Sequence, residues 1–270
     1  MLAVSWVAAV MASIGYGIGS VLQSVGARRT SQVAGLSGVA LILVQAPYLL
    51  GLGLDVVAFL SNVVALQQLP LFLVQAILTA SVGVTAVVAA IRGTRLTWRD
   101  WTSLAVLGLG LVLLSVSANS DTAVAVSDFA RYEILASLIV PTVTGLVGLR
   151  LGGRASSKVL ACASGLAYSG VAVASRGLSG AALGWSMLGD PLVWAIVLQG
   201  GIGIVFFALA LQRGAVTSVM AITFMVEMVV PSIIGLLLFG DSVAAGLAAW
   251  AVLGFVLSVA GTISLMRFAE

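Results

Sequence analysis

Two carboxylates stand alone inside long apolar stretches, and they are the residues most able to do chemistry. Glu227 is flanked by Met225, Val226, Met228 and Val229. An ionisable side chain at the depth of the hydrocarbon is costly unless it is paired or lines a wet cavity. Glu227 can therefore bind a cationic solute, or take up a proton that couples transport. Pro231, four residues on, has no N–H to give to the carbonyl of Glu227. That freed carbonyl can add a ligand, and the kink can act as a hinge. The structural alternative is a Glu that hydrogen-bonds to Ser or Thr in a tight helix interface. Asp55 follows Gly51 and Gly53, in a stretch that continues with Ser61, Asn62, Gln67 and Gln68. It either lines a cavity or snorkels to water at the interface.

Weaker candidates surround these acids. Tyr16 and Tyr168 sit among glycines and small residues, in "GYGIG" and "AYSGV". They can donate hydrogen bonds or present cation–π faces, or mark close helix packing through small residues. "GYGIG" is not a nucleotide loop, because no strand precedes it. Gln75, Thr79, Ser81 and Thr85 form one polar stripe, and Thr217, Ser218 and Thr223 a second. Such residues line cavities or hold helices together. Arg131 and Glu133 read as an interfacial anchor. Histidine is absent and Cys162 is the only cysteine. That excludes His-based relays and metal sites, thiolate metal sites and an intrachain disulfide. With no cofactor motif and no acid pair at helical spacing within one span, an intramembrane enzyme is disfavoured.

The elements that carry these residues are membrane spans. The chain is 61% hydrophobic and 8% charged, where a soluble domain carries about 25% charged residues. Residues 56–91, 191–212 and 242–266 hold no charged side chain. About 20 apolar residues cross the hydrocarbon core as a helix. The expected architecture is an all-α polytopic bundle forming one domain over 1–270. Its nine spans lie at about 3–25, 46–68, 71–91, 101–119, 128–149, 158–176, 191–212, 214–238 and 244–266. Residues 30–45 read as an interfacial or re-entrant segment. A ten-span alternative would make them a span and reverse the N-terminus. Residues 3–25 read as a retained span and not a signal peptide, since no cationic stretch precedes them.

The cations give the orientation. Arg28, Arg29, Arg92, Arg95, Arg99, Arg150, Arg154, Lys158, Arg213 and Arg267 all fall on one side of a nine-span chain. Only Arg131 and Arg176 fall on the other. The positive-inside rule places the N-terminus outside and the C-terminus in the cytoplasm. Trp98 and Trp101 would mark the inner interface, Trp185 and Trp194 the outer. The scattered cations form no nucleic-acid patch. Eleven Arg to one Lys, with Ala, Val, Gly and Leu dominant, point to a GC-rich bacterium and its plasma membrane.

The halves repeat. "AGLSGVAL" at 34–41 recurs as "RGLSGAAL" at 176–183, Pro47 as Pro191, and "ALQQ" at 65–68 as "ALQR" at 210–213. "WTSLAVLGLG" at 101–110 is similar to "AWAVLGFVLS" at 249–258. Spans 1–4 (residues 1–119) thus pair with spans 6–9 (residues 158–267), and the span at 128–149 links them. Four spans return the chain to its starting side, and the fifth moves it across. The second half therefore starts from the opposite face, as in alternating-access carriers with a midplane site. On this repeat Gln199 is the counterpart of Asp55, facing it across the pseudo-twofold axis.

The chain resembles the drug/metabolite transporter superfamily, in the branch of NIPA-like and EamA-like membrane transporters. The resemblance rests on "SIGYGIGSVLQSVGARR" at 13–29, "APYLLGLGLDVVAFLSNVVALQQLPLFLVQAI" at 46–77, "AAIRGTRLTWRDWTSLAVLGLGLVLL" at 89–114 and "FMVEMVVPSIIGLLLFGDSV" at 224–243. Thr94 stands where the first acidic turn of that family carries Glu, and no proline lies near Ala80. The resemblance implies a secondary transporter and, from the NIPA-like branch, Mg²⁺ or another divalent cation held by Glu227 and Asp55. The wider superfamily implies a metabolite or amino-acid exporter instead, and a flippase of lipid-linked substrates is a further variant. A non-transporting accessory subunit is the structural alternative. The expected partners are the solute or ion and the lipid bilayer, in a monomer or a homodimer.

Overall fold

Backbone groups in hydrocarbon must find hydrogen bonds within their own segment, so apolar runs of this length fold as helices. The computed structural model describes residues 2–29, 41, 44–91, 97–119, 126–178, 188–214 and 216–267. Their eleven helices are α1 (Leu2–Arg29), α2 (Ala46–Ala65), α3 (Leu71–Thr79), α4 (Ser81–Ile91), α5 (Trp98–Ser117), α6 (Asp128–Ala136), α7 (Ile139–Arg150), α8 (Gly153–Gly177), α9 (Pro191–Arg213), α10 (Val216–Leu238) and α11 (Ala248–Arg267). Seven segments are long and apolar enough to cross a membrane: Leu2–Gly26, Ala46–Ala65, Trp98–Ser117, Asp128–Arg150, Gly153–Gly177, Pro191–Arg213 and Ser218–Leu238. Leu71–Thr85 and Ala248–Ser264 are shorter apolar helices. The protein is an all-helical, polytopic membrane protein. The segment 30–45 that separates the nine-span from the ten-span reading falls almost wholly outside the described residues, as do Thr94, Trp185 and the core of the "AGLSGVAL" repeat.

Two expected spans are interrupted. The run 71–91 breaks at Ala80 into α3 and α4, and the run 128–149 breaks between Ala136 and Ile139 into α6 and α7. No proline sits at the Ala80 break, whereas Pro141 follows the second one and has no N–H to give to the Ser137 carbonyl. At both, a hydroxyl bonds to the backbone one turn back. Thr79 Oγ1 donates to the Ala76 carbonyl at 2.6 Å and Ser137 Oγ to the Ile134 carbonyl at 2.7 Å. Such local bonds compete with the helical ladder. Helix starts follow ordinary chemistry. Pro47 and Pro191 open α2 and α9, where the missing N–H costs nothing. The Asp190 carboxylate accepts from the Leu192 N–H at 2.9 Å.

Packing runs in matched pairs. α1 lies against α2, as α8 lies against α9; α1 also packs on α3 and α4, as α8 packs on α10. Across the molecule α3 meets α10, and α5 meets α11. The linking pair stands apart from this scheme, with α7 against α8 and α6 against α9. The α5–α11 seam is glycine-tight. A Cβ on Gly254 would stand 2.8 Å from the Gly110 carbonyl oxygen, and one on Gly261 2.7 Å from the Leu107 nitrogen. Only small residues let two backbones approach this closely. Gly254→Leu is expected to part this seam and to destabilise the fold by about 1–3 kcal/mol or more, as overpacking does. Thermal unfolding in detergent reads the loss, and an unchanged midpoint would contradict the seam.

The side of the bundle that carries the α2–α3 turn is tied by a buried ion pair. Arg176, at the end of α8, donates to Asp241 at 2.7 Å, with both side chains 1% exposed. It also donates to the Leu66 carbonyl. The second oxygen of Asp241 accepts the Leu71 N–H at 2.6 Å. Arg176, which the charge count placed with Arg131 on the minority side, is thus half of a buried ion pair. Arg131 is likewise more than an interfacial anchor, since it pairs with Asp190 at the start of α9. Asn119 and Ser242 close the same end, their side chains 2.9 Å apart beside the Ala118–Val243 bridge.

Candidate functional site

Helices from both halves enclose a cavity of about 230 Å³. Tyr16, Ser20 and Gln23 reach it from α1, spaced at four and three residues along one helix face. Asp55 and Asn62 face it from α2, Tyr168 from α8, Thr223 and Glu227 from α10. The remaining wall is aliphatic and aromatic, with Phe59, Phe207 and Phe224 among it. Among the described residues no Arg or Lys lines it.

Of the nine residues expected at the site, six share this cavity: Tyr16, Asp55, Asn62, Tyr168, Thr223 and Glu227. Three lie elsewhere. Gln199 does not face Asp55; its side-chain amide donates to the Ile134 carbonyl at 3.2 Å and to Ser137 Oγ at 3.3 Å. It pins α9 to the break between α6 and α7. Gln75 and Thr79 are buried in α3, away from the cavity lining. Thr85 Oγ1 bonds to the carbonyls of Gly17 and Ser81, so it joins α4 to α1. Pro231 lies inside α10 as expected, and Ser232 Oγ bonds back to the Met228 carbonyl at 2.5 Å beside it.

The polar chemistry of the cavity is acceptor-rich. Asp55 takes a hydrogen bond from Gln23 Nε2 through one oxygen, while its other oxygen is buried with no partner. The Asn62 amide oxygen is likewise buried and unpartnered, in a residue only 4% exposed. Glu227 has no ion-pair partner among the described residues. Thr223 Oγ1 is occupied, donating to the Ala161 carbonyl at 3.1 Å. A buried acceptor without a donor costs about 1–3 kcal/mol, and more when charged. Two carboxylates and an amide oxygen thus wait on a donor or a cation, with aromatic faces around them.

Gln23 was missing from the sequence reading. Its signal was available, because Tyr16, Ser20 and Gln23 fall on one face of a glycine-rich helix. Among the described residues no group of three or more His, Cys, Asp or Glu could hold a metal ion. Asp55 and Asn62 lie seven residues apart on α2, about 10 Å along its axis, so they do not meet on one small ion. No protein-family model, curated protein or solved structure matches this chain.

Proposed function

We propose that this protein is a secondary transporter of a cationic solute, related to the NIPA-like branch of the drug/metabolite transporters. It moves its solute across a bacterial plasma membrane by alternating access. The observation that carries the reading is the pairing of Asp55 and Glu227 in one cavity that no Lys or Arg among the described residues lines. Two ionised carboxylates there would face only each other and neutral groups. A cation or a proton supplies the missing charge, and exchange between the two is the simplest coupling.

The packing supports an inverted repeat. α1, α2, α3/α4 and α5 correspond to α8, α9, α10 and α11, and matched helices make matched contacts. In this scheme α3/α4 and α11 complete a nine-span chain, with α6/α7 as the single linking crossing. Each half supplies one carboxylate, so a rocking motion moves the two relative to each other. With the N-terminus outside, the Arg176–Asp241 pair lies at the outer end. A topology reporter fused after Glu270 is expected to be active only in the cytoplasm; activity only outside would overturn the orientation.

A thermal-shift screen of the purified protein tests the function. The panel holds Mg²⁺ and other divalent ions, organic amines, amino acids and polyprenyl phosphates. A ligand bound only by the folded state adds about 2.7 kcal/mol at a hundred times its Kd. Cations are expected to raise the melting temperature. A shift confined to the anionic polyprenyl phosphates would sink the cation reading.

A further inference from the structure

We infer that Arg176 and Asp241 are a latch that holds the outer end of the molecule shut at rest, and that its two residues have no ionic counterpart in the other half. The inference rests on the inverted-repeat carrier read above and adds what biases its two states. Arg176 is among the largest fully buried side chains of the described residues, and arginine is almost never buried this far without a partner. It stands near the end of α8, one turn beyond Ala172 of the cavity wall. Leu66, whose carbonyl accepts from Arg176, stands one turn beyond Asn62 of the same wall. One turn is about 5.4 Å along a helix, so the pair sits just past the outer rim of the cavity. A Cβ on Gly177 would meet Leu192 at 2.9 Å and Phe239 at 3.7 Å. Both are buried, and apolar packing continues directly beside Arg176.

The pair ties one half to the other. Arg176 and Asp241 belong to the second half, and they hold two backbone groups of the α2–α3 turn in the first. Arg176 donates to the Leu66 carbonyl, and the Leu71 N–H donates to Asp241 at 2.6 Å. Rocking the halves apart at this end must break both bonds. With one charge removed, the closed state buries the other without compensation, whereas in the open state water solvates it. The repeat supplies the asymmetry. By the match of 34–41 with 176–183, Ala34 takes the place of Arg176, and in the acidic turns Thr94 takes the place of Asp241. Neither residue can carry a charge. Two equivalent halves would leave the two access states alike in energy. Bonds made in only one of those states shift the population toward it.

The test reads access to the cavity in membrane vesicles holding the full chain. Cys162, the only cysteine, is replaced by Ser, and Ala172→Cys puts a thiol in the cavity wall. A membrane-impermeant methanethiosulfonate with a trimethylammonium group is applied to right-side-out vesicles and, separately, to inside-out ones. With the latch intact, labelling from outside is expected to be slow. Asp241→Asn is expected to speed it at least about tenfold, without a matching rise from inside. Asp190→Asn is the control. It removes a carboxylate from the Arg131 pair, which joins the linking span to α9 and not one half to the other, and labelling should not change. Should Asp241→Asn fail to fold, Gly235→Ala replaces it. Its Cβ would stand 2.7 Å from Asp241 Oδ2, so it displaces the carboxylate with every charge kept, and the same rise is expected. Outside labelling at the wild-type rate in both latch variants would overturn the latch and leave the carrier standing. So would an equal rise in Asp190→Asn, or a rise from both sides alike, which marks unfolding. A thiol at 172 that reacts from neither side in any variant would bring down the alternating-access reading, and the latch with it.

Discussion

Glu227→Gln is expected to lower cation binding and flux by at least about thirtyfold without unfolding the protein. Removing one partner of a buried charge interaction costs about 2–5 kcal/mol, and each 1.4 kcal/mol is a factor of about ten. The exchange keeps the shape of the side chain and removes only its charge. Stability should hold or rise, because Glu227 has no ion pair to lose among the described residues. A neutral amide is also cheaper to bury than a carboxylate. Function lost with a melting temperature equal to or above wild type is therefore the signature. Wild-type flux in proteoliposomes containing Glu227→Gln would remove this residue from the mechanism. Asp55→Asn makes a useful contrast, because Asp55 is held by Gln23 Nε2 and the amide oxygen of Asn can still accept that bond.

The second large effect concerns stability. Arg176→Ala is expected to destabilise the protein by about 3–5 kcal/mol, because it leaves Asp241 buried and uncompensated. Both side chains are 1% exposed, so water cannot take over the lost contacts. The substitution also strips a donor from the Leu66 carbonyl. The paired replacement Arg176→Met with Asp241→Leu should recover most of the loss, since a well-packed apolar pair often matches a buried ion pair. Unfolding in detergent measures both variants. A single variant as stable as wild type would mean that the pair contributes nothing to the fold. The apolar pair leaves two groups unanswered, the Leu71 N–H, which Asp241 accepts at 2.6 Å, and the Leu66 carbonyl. Recovery should fall short by at least about 1–3 kcal/mol, the cost of one such buried group.

The apolar runs were legible because lipid permits so few backbone solutions. Their interruptions were not. At Ala80 only the Thr79 hydroxyl, turned back onto the backbone, marks the break; at 136–138 the signal was Pro141, which has no N–H for the Ser137 carbonyl and which the span assignment passed over. A hydroxyl in an apolar run gives no sign of whether it will bond to its own helix or to a neighbour. Glu227 and Asp55 stood out because charge is rare where they occur. Gln199 went astray through the repeat argument, which treated the two halves as equivalents. The linking span has no counterpart to balance it, and the α6–α7 break takes up the Gln199 amide. The Arg176–Asp241 pair was not legible because its partners lie 65 residues apart, too far for any local pattern to show.

The α5–α11 seam bears on how the chain is made. Gly110 lies in α5 and Gly254 in α11, so the two surfaces meet only after more than a hundred further residues have been made. Until then α5 must wait in the membrane with its glycine face turned to lipid, and so must α3, whose partner α10 also comes late. Membrane quality control would meet such a half-built bundle during every round of translation. A nascent chain halted before α11 carries an unclosed seam that a protease or chaperone can recognise. Arrival of α11 is then the event that closes the seam.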